Sequence, residues 1–297
     1  MTIPHPIPYQ GSKRKLANDI SRYIPDGINT FYEPFAGSAA MTLYAAHHKL
    51  ADRYVIGDCL PSLIELWKQI VNKPDQTANR YREIWEGQQN EGMDYFNKVR
   101  DRFNKDHDPV ELLYLIARCV KNAVRFNQFG KMTQSVDKRR LGMHPDKMKS
   151  AITMASFLLH GKTEFFCGDF RDCVATAGPQ DFVYMDPPYQ GTTYGQDKRY
   201  YAQVEREHLY LGLEELNGRK VPFVLSYDGM CGDIVYGDAL PDHLNVSRVL
   251  LNAGRSSQAT LNGKVAVTVE SLYLSQDIPG DNSIYTGKNQ PAQLLSA

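Results

Sequence analysis

The sequence predicts an α/β fold: a mixed, mostly parallel sheet interrupted by a mainly helical insertion. Three observations carry that reading. The run Phe182-Val183-Tyr184-Met185 is apolar without alternation and is stopped by two prolines, as a strand buried on both faces would be. Strand and helix signals alternate from residue 30 to 72 and again from 148 onwards. Between those stretches, over 73–147, helical spacing leads into a basic loop, so the chain divides into a sheet domain (1–72 and 148–276), an insertion (73–147) and a tail (277–297).

Composition narrows the function classes. With 297 residues the chain can bury a full α/β core, and its 34 basic and 34 acidic residues leave no net charge, which argues against indiscriminate nucleic-acid binding. Five cysteines (Cys59, Cys119, Cys167, Cys173, Cys231) form no C-x-x-C pair and are expected as reduced thiols of a cytoplasmic protein. No apolar run approaches membrane length, and the proline-rich start is unlike a signal peptide. Of the eight histidines, His47-His48 make the one close pair and read as an exposed helix end, so no metal is expected.

Taken in order, Tyr9-Gln10-Gly11-Ser12-Lys13-Arg14-Lys15 reads as a loop able to meet an anionic ligand, or as a solvated basic helix start. A strand at 30–33 then meets Pro34-Phe35-Ala36-Gly37-Ser38-Ala39-Ala40 and a helix, a small-residue turn that lets a cofactor approach backbone. It is neither G-x-G-x-x-G nor a P-loop, so a nicotinamide or a nucleoside triphosphate is not supported. The strand at 54–57 ends at Asp58, placed either to bond ribose hydroxyls or to cap the helix over 63–70. Residues 78–123 read as helices.

The stretch 118–149 holds nine Lys or Arg against two Asp, interleaved with Asn, Gln and Phe. Such a mixture suits nucleic acid: cations for phosphates, Arg or Asn for base edges, an aromatic to wedge or stack. Lys121, Asn122, Arg125, Phe126, Asn127, Lys131, Lys138, Arg139 and Arg140 are the candidates there. Arg255 joins them from the polar loop 253–257. After a helix at 148–159 and a strand at 163–167, Asp169 and Phe170 sit where one could bond and the other stack on an adenine ring, or make an ordinary turn. Residues 190–201 suit a flexible lid. A helix at 205–216 and strands at 221–227, 246–251 and 265–274 complete the domain, and the tail is expected to be poorly ordered.

The chemistry centres on Asp186-Pro187-Pro188-Tyr189 at the carboxyl end of the apolar strand, where open α/β sheets bind ligands. An exocyclic amine on a base is a weak nucleophile because its lone pair is delocalised into the ring. An ionised Asp186 and the Pro187 carbonyl could each accept one of its hydrogens and turn the lone pair outwards, while Tyr189 stacks on the base.

Together these motifs resemble the alpha group of DNA adenine N6-methyltransferases, the Dam-type family, along residues 8–274. The resemblance rests on Tyr9-Gln10-Gly11-Ser12-Lys13, Glu33-Pro34-Phe35-Ala36-Gly37, Gly57-Asp58, Asp186-Pro187-Pro188-Tyr189 and Val269-Glu270-Ser271-Leu272-Tyr273-Leu274, in that order. It implies a Rossmann-like S-adenosylmethionine-dependent methyltransferase sheet with a helical DNA-recognition insertion. It also implies transfer of a methyl group to the N6 amine of a flipped adenine in double-stranded DNA, with S-adenosylhomocysteine as product. Tyr9, Lys13, Phe35, Gly37, Asp58, Asp169, Phe170 and Asp186 would surround the cofactor. Arg125, Phe126 and Asn127 take the place of an Arg-aromatic-Asn element at the DNA face, and Phe126 or a lid tyrosine would fill the gap left by the base. The chain departs from the family at Ala39, where a second glycine is common, and in 131–144, which does not match readers of GATC. The implied setting is a prokaryotic cell or a phage-encoded protein, alone or beside a restriction endonuclease acting on the same site, and balanced charge with no obvious exposed apolar seam suggests a monomer. The alternatives are a methyltransferase of RNA or protein glutamine and a catalytically silent DNA-binding module.

Overall fold

A computed structural model describes residues 2–127, 129–188, 205–231, 234–236, 239–255 and 267–278. Its strands are β1 (Ile28–Glu33), β2 (Ala51–Asp58), β3 (Thr163–Cys167), β4 (Phe182–Met185), β5 (Phe223–Cys231), β6 (Ile234–Tyr236), β7 (Ser247–Arg255) and β8 (Val267–Leu274). They form one sheet in the order β3-β2-β1-β4-β5-β8-β7, with β6 paired to β5. Neighbours from β3 to β5 are parallel, and β8 and β7 join antiparallel. The helices are α1 (Ala17–Ile20), α2 (Ala40–His48), α3 (Pro61–Asn72), α4 (Pro74–Asp106), α5 (Pro109–Arg118), α6 (Pro145–Leu159), α7 (Phe170–Cys173) and α8 (Arg206–Gly218).

The sheet is covered on both faces, and the period of two along each strand shows it. Phe182 and Tyr184 of β4 enter one core with Met41, Leu63 and Trp67, whereas Val183 and Met185 enter a second with Leu209, Leu213 and Phe223. The continuous apolar run therefore has the cause expected of a central parallel strand.

The insertion is not a separate hydrophobic unit. Phe96, Val99 and Phe103 of α4 and Leu112, Leu115 and Ile116 of α5 belong to the same core as Trp67 and Ile70 of α3. α4 is a single helix of 33 residues, roughly 50 Å long. The helical reading of 78–123 stops early, because α5 ends at Arg118 and both Lys121 and Asn122 adopt positive φ (59° and 53°), which no α-helix tolerates.

Two strands also run further than the sequence suggests. β5 continues past Tyr227 to Cys231 through an irregularity between Ser226 and Gly229. β7 takes in Ala253 to Arg255, part of the expected polar loop, because a register shift between Asn252 and Gly254 (φ 82°) absorbs the glycine as a bulge. At the far end Ile278 is buried in the main core, inside the segment assigned to the tail.

Gly57 of β2 fixes how closely the loop after β1 can lie. A Cβ there would stand 2.6 Å from Cys173 Sγ and 3.1 Å from Pro34 Cα, while the Gly57 carbonyl accepts from Ala36 N–H at 2.8 Å. Gly57→Ala is expected to cost about 1–3 kcal/mol in urea unfolding, as overpacking does. An unchanged midpoint would show that the loop gives way freely.

Candidate active site

β1 lies between β2 and β4, so the chain leaves β1 in opposite senses and opens a cleft at the carboxyl ends of these strands. The turn after β1 forms one wall. Glu33 is buried and accepts from Thr42 N–H (2.7 Å), Thr42 Oγ1 (2.6 Å) and Met41 N–H (3.4 Å), pinning the start of α2. Gly37 has φ 48°, which favours glycine, and the Tyr9 ring lies against it, 3.5 Å from where a Cβ would be. Ala39, the departure from the family's glycine, adopts the same left-handed region at φ 46°. Trp67 Nε1 donates to the Gly37 carbonyl at 3.0 Å from below.

Asp58 closes the second wall. Its Oδ2 accepts from Gly37 N–H (3.1 Å) and its Oδ1 from Leu60 N–H (3.0 Å), so it ties the β1 turn to the start of α3. The contact to Leu60 is a turn bond to the residue that precedes α3, and the helix itself takes no side-chain cap. A carboxylate keeps further acceptor sites, about four in all, and Asp58 still lines the cleft. Burial raises its pKa.

Asp186 stands at the end of β4 in an ionic cluster. Lys13 Nζ lies 3.2 Å from Asp186 Oδ1 and 3.0 Å from Glu270 Oε2, and Lys13 is 6% exposed. Burial pushes the Asp186 carboxyl up to about 6 against the pull of Lys13, with Glu270 adding to the rise. Glu33 is pushed up to about 7, chiefly by burial. The sequence reading assigned no role to Glu270 or Glu33. A single acid inside the apolar run 269–274 was the available signal for Glu270, since an unpartnered charge does not sit in a strand core.

Tyr9, Lys13, Phe35, Gly37, Asp58, Asp169, Phe170 and Asp186 all line one cavity of about 410 Å³, within the usual range of ligand sites, roughly 300–1,000 Å³. Pro187 and Pro188 stand at its rim; Tyr189 and the expected lid at 190–201 lie outside the described residues. Of the described residues lining it, Glu33, Asp58, Asp169, Asp186 and Glu205 are acidic and Lys13 is the single Lys or Arg. Such walls repel phosphate and favour a cation that presents hydrogen-bond donors. S-adenosylmethionine fits: a sulfonium, an ammonium, two ribose hydroxyls and an adenine amine.

The basic stretch of the insertion is a ribbon, with bridges Cys119 to Val136 and Phe126 to Met132. Lys121, Asn127 and Lys131 are exposed on it, Arg125 is half-buried, and Lys138, Arg139 and Arg140 are exposed on the loop beyond. Asp137, held down to about 2 by the Arg139 N–H and the Arg140 guanidinium, folds that loop, and Trp85 Nε1 and Gln88 Nε2 grip the Leu141 carbonyl. Two candidates are corrected. Phe126 is 5% exposed and packs against Phe103, so it cannot wedge into DNA without leaving the core. Asn122 turns its Nδ2 to the Ile116 carbonyl at 2.9 Å, closing the end of α5 rather than facing a ligand. Phe129, which the sequence did not single out, is 76% exposed at the ribbon's tip. Of Arg255 only the strand position is described, opposite Val267.

A sheet of this order with a switch-point cleft suited to a donor-bearing cation is that of a Rossmann-like S-adenosylmethionine-dependent methyltransferase. Comparison narrows the class: residues 9–253 match the family of D12 class N6 adenine-specific DNA methyltransferases, and the chain belongs to that family. It is 25% identical over 263 residues to the retron Ec67 DNA adenine methylase of Escherichia coli, covering 86% of this chain and 88% of that one. It is 27% identical over 190 residues to the DNA N-6-adenine-methyltransferase of Escherichia phage P1 (61% of this chain, 23% of that one). It is likewise 27% identical over 230 residues to the type II methyltransferase M.FokI of Planomicrobium okeanokoites (75% and 35%). The chain thus spans most of the first relative and well under half of the other two. Among the described residues no helix is long and apolar enough to cross a membrane.

The ionic cluster sets an expectation for pH. Ionised, Asp186 would be the stronger acceptor and the form able to take up a proton, so single-turnover methylation is expected to fall as pH drops through about 6. Holding this carboxyl ionised also costs stability progressively as pH rises through the same window, because its folded pKa lies above the unfolded one. Lys13→Gln removes a cation and should move the acid limb to higher pH, whereas Glu270→Gln removes a like charge and should move it lower. Rate profiles in which both limbs stay in place would detach the cluster from the reacting centre.

Proposed function

We propose that this chain flips an adenine out of double-stranded DNA and methylates its N6 amine, with Asp186 and Pro187 as the groups that hold the amine. The observation that carries this is Asp186 itself, at the sheet's switch point, paired through Oδ1 with Lys13 and opening on the cofactor cavity. Pairing on one oxygen fixes the carboxylate's orientation and leaves Oδ2 for an N6 hydrogen. The Pro187 carbonyl takes the other hydrogen, and Tyr189 is proposed as the stacking face for the base.

When bound, S-adenosylmethionine supplies a methyl group on a sulfonium whose sulfur retains the C–S bonding pair as the methyl leaves. The N6 lone pair forms the new N–C bond, and the surplus proton passes from N6 to Asp186 and on to solvent. The chain's contribution is orientation and the exclusion of water, which account for large accelerations without a covalent enzyme intermediate. Tyr9, Phe35, Gly37, Asp58, Asp169 and Phe170 are proposed to hold the cofactor, with Asp58 on the ribose.

Residues 73–147 are proposed to read the DNA, through Lys121, Arg125, Asn127, Lys131, Lys138, Arg139, Arg140 and, from β7, Arg255. The exposed ring of Phe129 is proposed to occupy the gap left by the flipped base, in place of Phe126. The family's methylase relatives, among them a type II enzyme by name, favour a cytoplasmic bacterial or phage setting in which a restriction endonuclease could share the site.

Single-molecule sequencing of plasmid DNA from a methylation-free host expressing the protein is expected to show N6-methyladenine in one short motif, and none with Asp186→Ala. Methylation retained by that variant, or none from the wild type, would overturn the proposal. With the motif known, 2-aminopurine at the target position should brighten on binding of the wild type and much less with Phe129→Ala. Phe126→Ala should instead lower stability by about 3–5 kcal/mol, as truncating a core phenylalanine does.

A further inference from the structure

Three consecutive residues, the first two of which line the cavity, dock one by one onto a single face of α8. His208 Nε2 and Asp169 Oδ2 lie 2.8 Å apart. The Phe170 ring, 2% exposed, meets His208 edge-on at 5.4 Å and Phe35 at 5.2 Å. It also fills the space where Gly212 lacks a side chain, since a Cβ there would stand 2.5 Å from Phe170 Cζ. Arg171 Nε donates to Glu215 Oε2 at 3.1 Å. Positions 208, 212 and 215 are spaced four and three apart, which puts them on one stripe of the helix. A mid-helix glycine costs about 1 kcal/mol of helix propensity, so Gly212 is explained by the ring it admits.

We infer that His208 and Gly212 are positioning residues for cofactor selectivity: His208 holds Asp169 for the exocyclic amine of the purine, and Gly212 sets how far Phe170 projects into the cavity. The inference rests on the proposed cofactor site. Asp169 spends one acceptor site on Arg171 N–H at 2.9 Å and one on His208, and the residue lines the cavity with acceptor sites to spare. Without His208 the carboxylate can swing towards solvent, and discrimination between a 6-amino and a 6-oxo purine should weaken while purine stacking persists. Gly212→Ala should act differently, pushing the ring inwards and weakening both ligands alike.

The test is calorimetric and needs no turnover: affinity for S-adenosylhomocysteine and for its inosyl counterpart, with a 6-oxo group, is measured on the full chain without DNA. The wild type should prefer the amino compound. His208→Ala should reduce that preference by roughly tenfold, the equivalent of about 1.4 kcal/mol, and His208→Gln, which can still donate to Asp169, should restore part of it. Gly212→Ala should weaken both compounds and leave their ratio unchanged. A ratio that His208→Ala leaves untouched, with S-adenosylhomocysteine still bound, overturns the inference alone. A wild type that binds neither compound overturns the proposed cofactor site and the inference with it.

Discussion

The structure depends on one buried ion pair. Asp186 ends the central strand β4, and Lys13, reaching it from a loop that precedes the whole sheet, favours its ionised form against the effect of burial. Lys13 in turn is shared with Glu270 of β8, across β5, so three segments distant in sequence meet at one cation. Burying a charge without such a partner costs several kcal/mol. The loop at 9–13, the end of β4 and the antiparallel addition to the sheet are therefore fixed with respect to one another by electrostatics as well as by packing. Tyr9 against Gly37 and Ser38 Oγ donating to Ser12 Oγ at 2.8 Å bring the same loop onto the turn after β1.

Much of this is legible in the sequence where the constraint is local. The run 182–185 shows a strand buried on both faces, and the two prolines show where it must stop. The turn around Gly37 and the acid at Asp58 follow strand ends, where a parallel sheet places ligands, and the structure brings every expected cofactor residue to a single cavity. What sequence does not carry is pairing between distant elements. Nothing near Glu270 announces Lys13, and nothing near His208 announces Asp169, because antiparallel register and helix docking are settled by the packing of the whole core. Phe126 misleads for a related reason. Basic and polar neighbours make it look exposed, yet the ribbon's alternation turns it onto Phe103 and sends Phe129 outwards at the turn.

The insertion is anchored without being a domain of its own. α4 and α5 extend the main core rather than forming their own, so the ribbon they carry inherits the sheet's frame. Its base is bonded directly to the cofactor loop, Gln10 N–H donating to the Asn122 carbonyl at 3.0 Å. The side chain of Asn122 is spent on α5 for the same purpose, since an unclosed helix end at that junction would loosen both.

Zero net charge, finally, conceals two regions of opposed charge. Five carboxylates line the cavity with one lysine, while the ribbon and its following loop expose Lys121, Lys131, Lys138, Arg139 and Arg140. On the proposed reading, the basic region would attract a phosphate backbone that the acidic cleft repels, which leaves an uncharged base as the part able to enter. A chain of uniformly positive charge would bind DNA more tightly and would lose this sorting of backbone from base.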